Sequence, residues 1–143
     1  MYFASESFRS GKYKKNSKLR LKEGKVSVYS AKFDGKKWKD AEPLPFNSAD
    51  YMVSNPSISA DGKTLYFASD MPGGLGGMDI WKVSVNANGS YSEPVNLGNK
   101  VNTEGRESFP FIESTENKLY FASDARKGFG GLDVYWLDLV TPG

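Results

Sequence analysis

Apolar and polar positions alternate over short stretches of this chain, and each stretch closes on a glycine-bearing turn. Within residues 55–97 the pattern predicts four short strands, at Asn55 to Ser59, Thr64 to Ser69, Met78 to Val85 and about Tyr91 to Leu97. Asp61-Gly62 and Asn88-Gly89 separate the first pair and the last pair, and a Gly-rich loop over 71–77 joins the middle two. Asp-Gly and Asn-Gly favour two-residue hairpin turns of type I′, which need positive φ at both central positions.

The same pattern recurs at an offset of about 54 residues. Leu65-Tyr66-Phe67-Ala68-Ser69-Asp70 returns as Leu119-Tyr120-Phe121-Ala122-Ser123-Asp124, and Met1-Tyr2-Phe3-Ala4-Ser5-Glu6 is a further copy. Gly76-Gly77-Met78-Asp79-Ile80-Trp81 returns as Gly130-Gly131-Leu132-Asp133-Val134-Tyr135. A four-stranded antiparallel unit repeated every ~40–50 residues is the signature of a β-propeller blade. The expected fold class is therefore all-β: a β-propeller segment of about two and a half four-stranded antiparallel blades. Residues 1–50 form a blade without its first strand, 51–103 a complete one, and 104–143 one without its last. A ring closes with ~4 or more blades, so the chain is read as part of a larger ring of about six to eight. Pairing with another copy of itself is the alternative.

Composition narrows the chemistry. The chain has 143 residues, 19 basic against 17 acidic, with neither His nor Cys. The commonest metal ligands, the thiol nucleophile and the usual neutral-pH general base are all missing. Balanced charge gives no overall case for nucleic acid, and no apolar run approaches the ~18 residues of a membrane span. Neither metal nor cofactor is expected, and an enzyme is disfavoured.

The stretch from Pro56 to Asp70 followed by Gly76 to Trp81 resembles the WD-like propeller repeat of the Tol-type family. The Gly73 to Gly77 run and the segment Val101 to Phe111 narrow that likeness to the propeller of Bacteroidetes OmpA-family envelope proteins. The resemblance implies a periplasmic, outer-membrane-associated scaffold with envelope proteins as partners, of a kind that can serve type IX secretion. In that family peptidoglycan is bound through a separate C-terminal domain, which these residues do not include. A glycan-binding or enzyme-associated propeller is the alternative function.

Strand order supplies the candidate site. In an up-and-down blade the loops after the second and fourth strands share one rim, and here they are the long ones, at 6–25, 70–77, 124–131 and about 45–54 and 98–107. Binding residues concentrate on loops held by a rigid scaffold. The expected partner-binding rim comprises Arg9, Lys12, Lys14 and Lys15 of a basic finger, with Asp70, Arg106, Glu107, Asp124 and Arg126. Asp79 and Asp133 recur in every copy that reaches them, as a hydrogen bond to a turn would, whereas a catalytic pair is needed once. The Gly runs are read as turns with positive φ. Tyr66, Phe67, Trp81, Tyr120, Phe121, Tyr135 and Trp136 are read as core filling between blades.

Overall fold

The computed structural model describes residues 1–6, 13–16 and 21–139, with side chains over 1–5 and 25–139. Among these residues the chain is all-β, with no helix. The described residues include the strands β1 (Tyr2–Glu6), β2 (Tyr13–Asn16), β3 (Leu21–Gly24), β4 (Val26–Phe33), β5 (Trp38–Pro43), β6 (Val53–Ile58), β7 (Thr64–Ser69), β8 (Asp79–Ser84), β9 (Val95–Asn96), β10 (Glu107–Glu113), β11 (Lys118–Ser123) and β12 (Asp133–Asp138). They form three antiparallel meanders, sheet I (β1-β4-β5), sheet II (β6-β7-β8-β9) and sheet III (β10-β11-β12), none of them closed. A separate hairpin pairs β2 with β3, so the stretch read as one long basic loop contains a strand pair of its own.

The turns differ from expectation. Gly62 and Gly89 have φ of 70° and 82°, but Asp61 and Asn88 are not left-handed. Gly62 N–H bonds the Ser59 carbonyl at 2.9 Å, and Gly89 N–H does the same to Asn86. The first turn, closed by Ser59 N–H on Thr64 O, is therefore two residues longer and the second, closed by Asn86 N–H on Ser90 O, one residue longer, and glycine alone takes the left-handed position in each. The side chains explain the difference. Asp61 Oδ1 accepts from Lys63 N–H at 2.9 Å and Asn88 Oδ1 accepts from Ser90 N–H at 3.0 Å, which fixes both residues before the glycine. The fourth strand of sheet II also shrinks to two residues, joined by a lone bridge from Val85 to Tyr91. Pro94, just before it, has no N–H to give a ladder.

β6 and β10 share a bulge at the same place in the repeat, between Ser54 and Ser57 and between Ser108 and Phe111. Each bulge holds an X-Pro pair whose first residue is left-handed, Asn55 at φ 50° and Phe109 at φ 51°. Asn tolerates that region and a bulky aromatic does not. Phe109 is 59% exposed, so little packing depends on its ring. Phe109→Asn should therefore raise stability by about 1 kcal/mol in a urea titration; a loss of stability would show that the ring packs.

The sheets stack face to face in chain order. Between I and II lie Val28, Leu44, Val53, Leu65, Phe67 and Trp81, with Phe46 stacked on Phe67 at 4.8 Å. Between II and III lie Tyr66, Ala68, Ile80, Ile112, Leu119 and Phe121. Successive β7 residues point to opposite faces, so Leu65 and Phe67 meet one neighbour while Tyr66 and Ala68 meet the other. Burying a Phe or Leu fully contributes about 1.5–3 kcal/mol, and sheet II gains this on both sides. The core expectation fails on the outer face of the last sheet, where Trp136 is 56% exposed and Tyr120 half-buried, while Tyr135 packs against the core between II and III beside Phe121. Trp136 and Tyr120 lie in register on the face turned away from sheet II.

Two asparagines hold the stack together. Asn102 Oδ1 accepts Ile80 N–H at 2.7 Å and its Nδ2 donates to Ile80 O at 2.9 Å. Asn47 does the same for Val28, at 2.9 and 2.6 Å. Each side chain takes the place of a strand residue, Asn102 beside β8 and Asn47 beside β4, and each is buried.

Candidate functional site: the long-loop rim

The loops 70–78, 97–106 and 124–132 interlock at one end of the stack. Gly77 N–H bonds Gly105 O at 2.8 Å, and Glu107 N–H bonds Met78 O at 2.7 Å. A Cβ on Gly76 would lie 2.3 Å from Thr103 O and 2.4 Å from Gly105 O; one on Gly74 would meet the Asp79 carboxylate at 2.5 Å. The positive-φ reading holds for Gly73, Gly130 and Gly131, whereas Gly74, Gly76 and Gly77 are not left-handed. Close backbone approach is what requires Gly74 and Gly76.

Asp79 is the hub of this packing. Buried to 1% exposure, its carboxylate accepts from Leu75 N–H, from Gly76 N–H at 3.2 Å and from Asn96 Nδ2 at 2.8 Å. Asp133 takes Gly130 N–H in the same way, at 3.3 Å. Asp70 and Asp124 each cap the strand beside them, accepting Met52 N–H at 2.6 Å and Arg106 N–H at 2.7 Å. These carboxylates hold backbone amides, a use that a repeating fold needs in every copy. Among the described residues no three acidic side chains are grouped to hold a metal ion.

The expected rim residues separate into three sets. Asp70, Arg106 and Asp124 are exposed at the rim. Glu107 is not a rim contact: it is fully buried, and its oxygens accept Thr103 N–H at 2.8 Å, Thr103 Oγ1 at 2.6 Å and Ser123 Oγ. It begins a strand whose alternation turns it inward, at the position Val53 holds one repeat earlier. Arg126 is also committed inward, since Nη2 donates to Lys100 O at 2.7 Å and Val101 O at 2.8 Å. Its guanidinium lies 5.5 Å from the Phe121 ring and 5.8 Å from Tyr135. Arg9 and Lys12 lie outside the described residues, and Lys14 and Lys15 stand on β2, of which the backbone alone is described.

Sequence reasoning missed Phe129. It is fully exposed on the 124–132 loop, with Leu132 at 49% beside it, and Leu75 stands 44% exposed at the position equivalent to Phe129. The signal was present in the repeat alignment, which puts an apolar residue between the glycines of both loops.

Arg106 Nε pairs with Asp124 Oδ2 at 2.8 Å, and this hydrogen bond together with the Arg106 N–H holds the Asp124 carboxyl below its ordinary value. A carboxyl lowered on folding stabilises the fold fully above its unfolded value of ~3.9 and loses that contribution as pH falls through the folded value. In carboxyl-detected NMR, Asp124 should titrate below the ordinary aspartate range, and Arg106→Ala should move it back toward that range. An unmoved midpoint would show that the pair is not formed in solution.

Grooves open at the opposite, tight-turn end. One of about 380 Å³ is lined by Ser59, Asp61, Tyr66, Ile112, Ser114 and Leu139. The long-loop rim presents a knobbed surface of interlocked loops. No family model matches the chain, and no curated protein matches it.

Proposed function

We propose that the chain is part of a β-propeller that serves as a non-catalytic docking scaffold, with the long-loop rim as its contact surface. Three observations support the propeller reading. The sheets follow one another at a 54-residue repeat. Each packs face to face on the next, and the first strand of a sheet, β6 or β10, lies against the sheet before it. The observation that carries the docking reading is the rim itself. Its carboxylates are occupied by backbone amides and by Arg106, while Phe129 and Leu132 stand exposed over a rigidly braced loop base. A braced surface with an aromatic tip suits a protein partner, because rigid aromatic anchors dominate protein interfaces.

The resemblance to OmpA-family envelope propellers supports a periplasmic setting, with envelope proteins as partners. A glycan-binding function is less well supported. Tyr66, the aromatic of the tight-turn groove, is 6% exposed and offers no face for a sugar to stack on.

The test is recovery of partners from solubilised envelopes on the tagged chain, compared with Phe129→Ala and Arg106→Ala. Both changes are at exposed side chains, so circular dichroism should remain that of the parent. Loss of the same specific partner with Phe129→Ala supports the rim. Unchanged recovery with both variants removes the rim from the account.

A further inference from the structure

We infer that the partner met at the long-loop rim is an acidic protein segment, which seats its carboxylates on a cationic patch at the junction of sheets II and III. The inference rests on the docking reading above and adds the partner's chemistry to it. Acidic side chains at this end of the molecule are spent within it. Asp79 and Glu107 are buried among their own donors. Asp70 accepts Met52 N–H, and Asp124 accepts from both the backbone and the side chain of Arg106. The basic side chains are not spent in the same way. Among the described residues Lys100, Arg126 and Lys127 form no ion pair, and on their two loops Glu104 alone is left to oppose them.

Arg126 assembles the patch. Its Nη2 donates to the carbonyls of Lys100 and Val101 at 2.7 and 2.8 Å, which joins residues 26 and 25 positions apart in the chain. Lys100 therefore adjoins Arg126 and Lys127. Carbonyls and rings hold the guanidinium without neutralising it, and its Nε is buried with no acceptor. The loop bases are fixed by the bonds from Gly77 to Gly105 and from Glu107 to Met78, so the charges are in place before a partner arrives. Leu75 is 44% exposed beside Gly76, whose backbone packs closely on Thr103 and Gly105, so an apolar contact borders the patch.

The same sign of charge recurs along the long loops. Residues 6–25, 45–54, 70–78, 97–106 and 124–132 hold twelve of the 19 basic residues and six of the 17 acidic ones. A nearly balanced chain is thus basic at its long loops and acidic elsewhere. Lys14 and Lys15 fall on β2 and Lys22 on β3, within the segment that leaves β1 and enters β4 at this end. Complementary charge of this kind selects a partner and speeds encounter more than it adds affinity, since each exposed pair contributes little. Carboxylates fit this patch better than a phosphate chain does. A duplex binder typically neutralises ~6–10 phosphates, whereas three cations beside Leu75 suit mixed acidic and apolar side chains.

Fluorescence anisotropy with a labelled peptide of Glu and Asp around one Phe tests this. At about 50 mM salt the chain should bind it with a Kd below ~100 μM, and about 200 mM salt should weaken binding several-fold. Lys100→Glu combined with Lys127→Glu should weaken it by about tenfold or more. Lys36→Glu combined with Lys37→Glu makes the same change of net charge at a tight turn, and should leave binding within about twofold of the parent. All four lysines are exposed, so the fold should persist in both double variants. A peptide that stays unbound at ~200 μM chain overturns the inference. So do equal losses from the two double variants, or tighter binding of oligothymidylate or phosphatidylglycerol vesicles than of the peptide. The docking reading fails by a different result, unchanged partner recovery with Phe129→Ala and Arg106→Ala. An envelope partner that Phe129→Ala loses, but that the double variant at 100 and 127 retains, keeps the rim and overturns its acidic ligand.

Discussion

Asn102→Ala should cost the chain about 1–3 kcal/mol, one of the two largest losses expected from a single substitution here. The side chain satisfies both the N–H and the carbonyl of Ile80, at 2.7 and 2.9 Å, and donates to Asn96 Oδ1 at 2.9 Å. Both Asn102 and Ile80 are buried, so water does not replace the partner lost by the Ile80 N–H, which costs about 1–3 kcal/mol, whereas the Ile80 carbonyl keeps Leu97 N–H at 3.2 Å. The loss also loosens Asn96, which otherwise donates to Asp79, and so reaches the base of the rim. Asn102→Asp should also destabilise, because a carboxylate accepts from Ile80 N–H but gives nothing to its carbonyl. Asn47→Ala removes the matching two bonds to Val28 without the link to Asp79, so its cost should be smaller. Chemical denaturation of the three variants ranks them. Equal and small losses, below about 0.5 kcal/mol, would mean that these asparagines do not act as strand surrogates.

The second large effect concerns the rim directly. Gly76→Ala places a methyl group 2.3 Å from Thr103 O, 2.4 Å from Gly105 O and 2.7 Å from the Glu104 carbonyl carbon. All three obstacles are backbone, so no side-chain rotation relieves the clash, and the 70–78 loop must lift off its neighbour. Overpacking of this kind costs about 3 kcal/mol or more. Gly89→Ala is the informative comparison: nothing lies within 4 Å, and only a φ of 82° opposes the new side chain. It should cost about 1 kcal/mol and leave the rim intact. Thermal unfolding of both variants, with amide exchange over residues 97–106, distinguishes a displaced loop from a merely strained turn.

The repeat made much of the fold legible. Thr64 to Ser69 is a strand with the expected bounds because its apolar run is flanked by a turn and a Gly-rich loop, each marked by glycine. The three meanders of three, four and three strands follow from the same register. What was hidden depends on contacts distant in sequence. Nothing around Asn102 distinguishes a buried strand surrogate from an exposed loop asparagine, because its partner lies 22 residues away. Glu107 looked like a surface charge beside Arg106, yet strand alternation turns the two in opposite directions. Trp136 matched a core pattern, but what stacks on its face is not decided locally. At the rim, Asp70, Arg106 and Asp124 were placed where expected, whereas Arg126 was drawn inward by two carbonyls and two rings. Phe129 was overlooked because the reading weighted charge over apolar exposure.

The central claim is that the long-loop rim, and not the tight-turn end, meets a protein partner. Site-specific photo-crosslinking tests it most directly, with a benzophenone side chain placed in turn at Phe129, at Arg106, and at Lys63 and Asn88 of the tight turns. The account predicts one shared adduct from the 129 and 106 positions in intact cells and none of that mass from 63 or 88. The same adduct from the tight-turn positions, with none from the rim, would contradict it.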